Sequence, residues 1–195
     1  MAAATKEYDS VALALRAARS KAAPGFAEAI LGRLRSLELD RAAFTVEVLP
    51  AEDGPAGRDS VLFSFSASGK NLQDVARCAS GGEMSRIMLS LKAEMARFAG
   101  MPTMIFDEID TGVSGSAADA MGSMICSMGA DMQVLAITHL PQVAAKGDAH
   151  FVVEKKGDTT GIRRVEGRER VMEIARLLSG SVITPEAIAN AESLL

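Results

Sequence analysis

Three short polar stretches of this sequence have residue types that suit phosphate chemistry. The first is Ser80-Gly81-Gly82-Glu83, directly before an amphipathic run. Ser80 and Glu83 have the spacing of a capping box, and two glycines there let a ligand approach the backbone closely. Because the open N–H groups of a helix N-terminus attract anions, the stretch predicts either a phosphate contact or a plain helix cap.

The second stretch is a pair of acids, Asp107 and Glu108, which follows the apolar run from Met101 to Phe106. That run predicts a short strand buried on both faces, as in a parallel sheet. Acids at the carboxyl end of such a strand lie where open α/β sheets bind ligands. One acid could bind Mg²⁺, which prefers oxygen ligands and keeps its waters, and the other could polarise an attacking water. Two solvated acids at a strand end are the alternative.

The third stretch is Thr138-His139, which follows the predicted strand from Gln133 to Ile137. If the two apolar strands are neighbours, their carboxyl ends meet at one rim of the sheet. That rim would then hold Asp107, Glu108 and His139 together. A histidine taken alone is more often structural or solvated, and its place on this rim is what favours a chemical role.

The elements around these stretches indicate an α/β fold. After Glu83 a helix is predicted, with apolar residues at spacings of three and four. Residues 42–49 and 60–66 alternate, which predicts an antiparallel pair of strands. The inward residues expected in these elements are Met84, Ile87, Met88, Leu91, Met95 and Phe98 in the helix, and Phe44, Val46, Val48, Val61, Phe63 and Phe65 in the strands.

The two ends of the sequence have weaker or more local signals. Residues 1–9 are expected to be either disordered or foreign to the natural protein, and Ala23-Pro24-Gly25 is expected to separate two short helices. Later signals are a glycine-rich turn from Asp110 to Gly115, a Met-rich helix, and a short helix from Pro141. A hairpin across residues 156–158, a helix closed by Gly180 and a last helix opened by Thr184-Pro185 follow.

Composition limits the classes of function. A net charge of −4 argues against a general nucleic-acid binder, so any DNA contact must come from a local patch. The two cysteines, Cys78 and Cys126, have no metal-ligand spacing and are expected to be free thiols in a reducing compartment. No apolar run reaches membrane-spanning length, and no signal peptide is expected.

Ser68-Gly69-Lys70-Asn71 resembles the end of a phosphate-binding P-loop. That motif needs a glycine five residues before the Gly-Lys pair and a Ser or Thr after the lysine. Ser64 and Asn71 occupy those positions, and no other Gly-Lys pair occurs. The stretch therefore predicts a turn, and the chain carries no Walker A motif.

Together the three polar stretches resemble the ABC-type ATPase heads of the SMC-like proteins. Residues 80–83 are similar to the signature motif, residues 104–108 to Walker B with its glutamate, and His139 to the switch histidine. Residues 110–115 and 139–142 are similar to the RecN branch of that family, whose members repair DNA. Many ABC heads carry an aspartate at the end of the loop after Walker B, where this sequence has Ser114.

The resemblance implies the carboxyl-terminal lobe of a P-loop NTPase head. Its parallel core strands are flanked by helices and accompanied by antiparallel strand pairs. Residues 1–41 would end a coiled-coil arm, and residues 42–195 would form the ATPase lobe. The family pattern implies that Asp107 binds Mg²⁺ through water, that Glu108 is the general base and that His139 contacts the γ-phosphate. The nucleotide-binding residues it implies are Ser80, Gly81, Gly82 and Glu83.

The partners follow from the same resemblance. ATP and Mg²⁺ would bind only in the complete head dimer, formed with a Walker A lobe of the same full-length protein and a second head. DNA would be a partner of the full-length protein, which would be cytoplasmic and associated with the nucleoid. The chain alone would then be a fragment with negligible ATPase activity.

Alternative interpretations are the head of another SMC-like ATPase, the nucleotide-binding subunit of an ABC transporter, and a non-enzymatic module that pairs with another lobe. Whether this lobe touches DNA is open. The candidate basic cluster is Arg163, Arg164, Arg168 and Arg170, for which a solvated, charge-balanced face is the alternative.

Overall fold

The computed structural model describes residues 2–77, 80–180 and 182–195, without the side chains of Ala2 and Lys156. Cys78, predicted to be a free thiol, and Ala79 lie outside the described residues. The chain divides into two compact units, Met1–Glu94 and Met95–Leu195.

The elements are α1 (Ala2–Ser36), β1 (Ala43–Gly54), β2 (Gly57–Ser66), β3 (Gln73–Asp74), α2 (Gly81–Ala99), β4 (Thr103–Asp107), α3 (Gly115–Met128), β5 (Gln133–Ile137), α4 (Pro141–Ala144), β6 (His150–Lys156), β7 (Thr159–Val165), α5 (Gly167–Ser179) and α6 (Pro185–Leu194).

Helix α1 is one continuous helix, and the predicted break at Ala23-Pro24-Gly25 is wrong. Pro24 is exposed, so its ring lies on the solvent side, while Ala23 beside it is buried. An alanine-rich sequence favours helix on both sides of the proline. Packing of the following turns against β1 and β2 then offsets the one hydrogen bond that Pro24 cannot make.

The first turns of α1 are ordered against the β1–β2 hairpin, so the predicted disorder of residues 2–9 is also wrong. The Tyr8 hydroxyl donates to the Gly54 carbonyl and accepts from the Gly54 N–H, both at 3.1 Å. Asp9 contacts Arg58, whose guanidinium lies 5.1 Å from the Tyr8 ring centroid. These contacts come from the far end of the hairpin, which local sequence patterns around residues 2–9 do not reveal.

Strands β1 and β2 form the predicted antiparallel pair, and the short β3 adds a third strand that the sequence analysis missed. Phe44 opposes Phe65 across the pair, and each is only 3% exposed. Val61 was predicted to face inward but is 41% exposed, because it lies toward the hairpin end, away from the core. The core of this unit is formed by Ile30, Leu34, Leu39, Phe44, Phe65 and Ile87.

The residues before β3 form the turn that the sequence predicts instead of a P-loop. Gly69 has a φ of +76°, and a Cβ on it would lie 2.8 Å from the Arg41 carbonyl oxygen. Ser66 donates from its hydroxyl to the Lys70 carbonyl, which closes the turn. Only glycine fits both the left-handed backbone and the close approach of Arg41.

Helix α2 begins at Gly81, slightly before the predicted start after Glu83, and its buried face differs from the predicted stripe. Met95 and Phe98 are 60% and 73% exposed. The fully buried positions include Ile87 and Leu89, and even the polar Ser90 and Glu94 are covered. A spacing of three and four identifies a helix, but it does not say how far along the helix the covering elements extend.

Strands β4 and β5 of the second unit pair in parallel, with Asp107 opposite Ile137. Phe106 is fully buried, whereas Ile105 is 59% exposed and Leu135 and Ile137 on β5 are 45% and 56% exposed. The prediction that β4 is buried on both faces is therefore wrong for this chain. Within the described residues, helix α3 packs against β5, and the side chains of Ile105, Leu135 and Ile137 form an open apolar face of the pair.

The last elements pack mainly through alanines and match their local sequence signals. The hydroxyl of Thr184 caps α6 by accepting from the Ala187 N–H at 3.2 Å, and Gly180 ends α5 with a φ of +76°. Their shared core contains Ala145, Ile174, Ala175, Ala187 and Ala191. None of the described helices is long and apolar enough to span a membrane.

Candidate nucleotide half-site

The start of α2 has the backbone geometry of a capped helix. The Met84 N–H donates to the Ser80 carbonyl at 3.0 Å, which places Ser80 at the N-cap position. Ser80 and Gly81 are exposed, Gly82 is buried and Glu83 is half-buried. The N-terminal end of α2 therefore presents Ser80 and Gly81 to solvent.

Two polar contacts that the sequence analysis missed hold α2 in the first unit. Arg86 donates from Nε to the Gly82 carbonyl at 3.0 Å and from Nη1 to the Leu37 carbonyl at 3.1 Å. Arg33 on α1 pairs with Glu94, with Nε and Nη2 at 2.8 Å and 2.7 Å from Oε2. The Glu94 side chain is 3% exposed and the Arg33 side chain is 24% exposed, so the carboxylate of this ion pair is buried and its guanidinium is half-buried. Both contacts join residues far apart in sequence, and no local pattern reveals them.

The acid pair lies at the end of β4, and the turn that follows fixes its backbone. Asp107 and Glu108 are exposed. Glu108 has a φ of +47°, a left-handed conformation that is uncommon for residues other than glycine. Its N–H donates to the Ile137 carbonyl at 3.2 Å, and its own carbonyl accepts from the Thr111 hydroxyl at 2.9 Å. Strained backbone at a strand end is typical of functional sites.

Behind the acid pair lies Asp110, a buried carboxylate that the sequence analysis placed only in a glycine-rich turn. Asp110 is fully buried and accepts from the Thr138 hydroxyl through Oδ2. The Thr138 oxygen in turn accepts from the Leu140 N–H at 2.9 Å. Nδ1 of His139 lies 3.9 Å from Oδ1 of Asp110, and the imidazole is 67% exposed. The turn after β4 and the segment after β5 are thus joined through one carboxylate.

Gly122 on α3 lets the segment after His139 pack closely. A Cβ on Gly122 would lie 3.0 Å from the Gln142 carbonyl oxygen and 3.1 Å from the Val143 Cα. Helix α4 therefore rests directly on the backbone of α3, and this contact fixes the chain just after His139. A glycine at a buried position of a helix indicates that another backbone segment approaches the helix closely.

The structure keeps the proposed site residues in two sets. Ser80 to Glu83 belong to the first unit, while Asp107, Glu108 and His139 belong to the second. The parallel pairing of β4 with β5 gives Asp107, Glu108 and His139 the common sheet edge that the sequence predicts. Their chemical roles stay predictions.

The donor set suits a Mg²⁺ that keeps most of its waters. No group of three or more His, Cys, Asp or Glu side chains that could hold a metal occurs among the described residues. Mg²⁺ in phosphate-transfer sites is held by one or two carboxylates, waters and the phosphates themselves. An exposed Asp107 at the strand end fits that role, and it does not fit an all-protein metal cage.

The arginine cluster of residues 163–170 is engaged within the chain. Three of its four guanidiniums pair with carboxylates, and the fourth donates to two backbone carbonyls. A hydrogen bond with Glu154 is the largest cause that raises the pKa of Arg163. These contacts favour the solvated, charge-balanced face. The pairs are Arg163 with Glu154 and Glu169, Arg164 with Glu166, Arg168 with Glu192, and Arg170 with the carbonyls of Ala145 and Gly147.

Comparison with known proteins gives one consistent result. The chain is 38% identical over 207 residues to the DNA repair protein RecN of Streptomyces coelicolor, covering 97% of this chain and 36% of that protein. The chain is homologous to part of RecN. RecN of Haemophilus influenzae is 37% identical over 199 residues, covering 98% of this chain and 36% of that protein. RecN of Vibrio cholerae is 40% identical over 169 residues, covering 83% of this chain and 30% of that protein.

The chain thus spans about a third of the length of the curated RecN proteins it matches. No family model matches it.

Comparison with solved structures shows that this chain has the fold of SMC heads. The Smc head domain from Pyrococcus yayanosii aligns with a TM-score of 0.67 at 15% identity, covering 79% of this chain and 29% of that one. A chain from a study of ATP-driven dimerization and DNA-stimulated activation of SMC ATPases aligns with a TM-score of 0.65 at 14% identity. That alignment covers 86% of this chain and 99% of the other, so one solved SMC chain has nearly the same extent.

Proposed function

We propose that this chain is one lobe of an SMC-like ATPase head that acts in the repair of DNA double-strand breaks. The observation that carries the proposal is the acid pair at the end of β4, with Glu108 held in a strained backbone beside the end of β5. Homology to RecN over almost the whole chain supports the repair role.

The resemblance to ABC-type ATPase heads gives each residue its proposed role. Asp107 would hold Mg²⁺ through water, and the ion when bound would neutralise charge on the phosphates. Glu108 would accept a proton from the attacking water, and His139 would donate a hydrogen bond to the γ-phosphate. Phosphoryl transfer depends mainly on positioning and on stabilising charge, which a rigid strand end supplies well.

A second lobe is needed because this chain has no phosphate-cradling loop. The open apolar face of Ile105, Leu135 and Ile137 supports the same conclusion, since exposed apolar patches mark interaction sites. A Walker A lobe of the same full-length protein would cover that face. Ser80 to Glu83 would then reach the nucleotide of a second head, so hydrolysis would require a dimer.

A hybrid protein tests this proposal. In the hybrid RecN, this chain replaces the matching third of Streptomyces coelicolor RecN. We expect the hybrid RecN to hydrolyse Mg-ATP and to restore resistance to double-strand breaks in a strain that lacks RecN, while the chain alone does neither. Tight, stoichiometric Mg-ATP binding by the chain alone, or a folded hybrid RecN without activity beside an active unmodified RecN, would contradict the proposal.

Ser80→Arg in the hybrid RecN separates the signature role from a plain helix cap. Loss of a cap costs about 1 kcal/mol of stability and leaves dimerisation intact. A bulky side chain at the glycine approach should instead prevent dimerisation with a non-hydrolysable ATP analogue, measured by sedimentation. If the variant dimerises like the parent, Ser80 to Glu83 only cap α2.

A further inference from the structure

Asp110 has an unused acceptor that faces the site. Its carboxylate is fully buried, and Oδ2 is occupied by the Thr138 hydroxyl. Oδ1 is also buried and has no hydrogen-bond partner among the described residues. A buried carboxylate oxygen without a donor is unfavourable, because folding has removed its water. A hydrogen-bond donor placed near Oδ1 would therefore be stabilising.

The imidazole of His139 is a hydrogen-bond donor close to Oδ1. Its Nδ1 lies 3.9 Å from Oδ1, just beyond hydrogen-bonding distance, and the ring is 67% exposed. The backbone on either side of the ring is held, by the Thr138 hydroxyl on one side and by α4 against Gly122 on the other. With the backbone held in this way, we infer that rotation of the side chain, and not movement of the backbone, brings Nδ1 to Oδ1.

We propose that Asp110 is a positioning residue that accepts a hydrogen bond from Nδ1–H of His139 and turns Nε2 outward. The hydrogen bond made by one ring nitrogen sets which tautomer the ring adopts. When Nδ1–H is given to Asp110, Nε2 can donate to a phosphate only if the ring carries a second proton there. The phosphate part of this inference rests on the proposed function, whereas the hydrogen bond does not.

The first test measures the tautomer of His139 in this chain without nucleotide. Nitrogen-15 NMR of the neutral imidazoles distinguishes Nδ1–H from Nε2–H, and the chain has two histidines, His139 and His150. We expect His139 to favour Nδ1–H. Asp110→Asn keeps an oxygen for Thr138 but places an amide donor toward Nδ1, so it should shift the tautomer ratio by about tenfold toward Nε2–H.

His150 is the internal control, because it lies on β6 and its tautomer should not change. Thr138→Val removes the hydroxyl but keeps the carboxylate, so His139 should still favour Nδ1–H. A wild-type His139 in the Nε2–H form, or a ratio unchanged in a folded Asp110→Asn variant, would overturn the proposal. If Asp110→Asn does not fold, the wild-type and Thr138→Val spectra still decide it.

A second test uses the hybrid RecN and separates the two proposals. Asp110→Asn and His139→Gln should each lower ATP turnover, and the double variant should be no worse than His139→Gln alone, because Asp110 acts through His139. Additive losses would mean that Asp110 acts independently and would contradict the inference. Absence of any ATPase activity would remove the proposed function but leave the tautomer result standing.

Discussion

Two of the three sheets among the described residues, β1–β2–β3 and β4–β5, differ in how completely they are covered. The β1–β2–β3 sheet packs against α1 and α2, and Phe44 and Phe65 are each 3% exposed. The β4–β5 pair leaves Ile105 and Ile137 more than half exposed, at 59% and 56%. The difference shows that the first unit completes its core from its own residues, whereas the second keeps an apolar face open beside its acids.

The polar contacts differ in the same way. In the first unit a buried carboxylate, Glu94, has a guanidinium partner. In the second, the buried carboxylate of Asp110 has one oxygen, Oδ1, without a hydrogen-bond partner among the described residues. A buried carboxylate that is paired stabilises a fold, whereas one with an unpaired oxygen needs a separate explanation, such as a role in a site.

The largest expected effect is on the chemistry of the second unit. Glu108→Gln in the hybrid RecN should lower ATP turnover by roughly 10²–10⁴, the usual contribution of a general base, and leave the melting temperature nearly unchanged. Steady-state hydrolysis and calorimetry measure the two quantities. Glu52→Gln on exposed β1 is the matched control and should alter neither. Unchanged turnover would show that Glu108 is a solvated acid without a catalytic role.

The next effect concerns the stability of the first unit. Glu94→Ala leaves Arg33 without its buried partner and should lower the free energy of unfolding by about 3 kcal/mol, as for other buried pairs that lose one partner. Urea unfolding of this chain measures it. Glu192→Ala, which breaks an exposed pair with Arg168, should have little effect. Equal losses of stability in the two variants would show that the Arg33–Glu94 pair contributes no more than an exposed ion pair.

A smaller effect is expected at the turn before β3. Gly69→Ala forces a side chain into a left-handed backbone and against the Arg41 carbonyl, so it should cost about 2 kcal/mol of stability. Gly157→Ala has the same backbone penalty, with a φ of +62°, but open space around it. Its cost should be clearly lower. Urea unfolding of the two variants measures both losses in free energy of unfolding, and their difference gives the contribution of the contact with Arg41. Equal losses would mean that only the left-handed backbone destabilises the variants.

The smallest effect should come from the open face of the β4–β5 pair. Ile105→Ser should change the stability of this chain by less than about 0.5 kcal/mol, as for other surface substitutions. In the hybrid RecN, where a second lobe would cover that face, the same change should lower the melting temperature. An equal response in both proteins would show that the face stays open, and the comparison between the two sheets would lose its functional meaning.

Local signals in the sequence predicted the elements that depend on local chemistry. The structure contains the N-cap position of Ser80, the side-chain cap of Thr184, the stop at Gly180, the turn at Gly69 and the alternating strands. The SMC-head fold implied by the three motifs is confirmed by the solved relatives. These predictions are confirmed because each feature is determined by a few neighbouring residues or by a specific motif.

Features that depend on distant partners could not be predicted. Helix α1 continues through Pro24 because β1 and β2 support it, and Met95 and Phe98 are exposed although their spacing suits a buried stripe. Asp110 is one acid in a polar turn, and only the fold brings it to Thr138 and His139. The predicted boundary between residues 41 and 42 stays a prediction.

The contact of Tyr8 with the β1–β2 hairpin gives this protein a natural optical probe. Tyr8 is the single tyrosine of the sequence, which has no tryptophan. Its phenol is tied to Gly54 and lies beside the Arg58 guanidinium. Ultraviolet emission excited at the tyrosine band therefore reports on one place, the attachment of the first turns of α1 to the hairpin. Detachment of that helix end can be followed in time without any label.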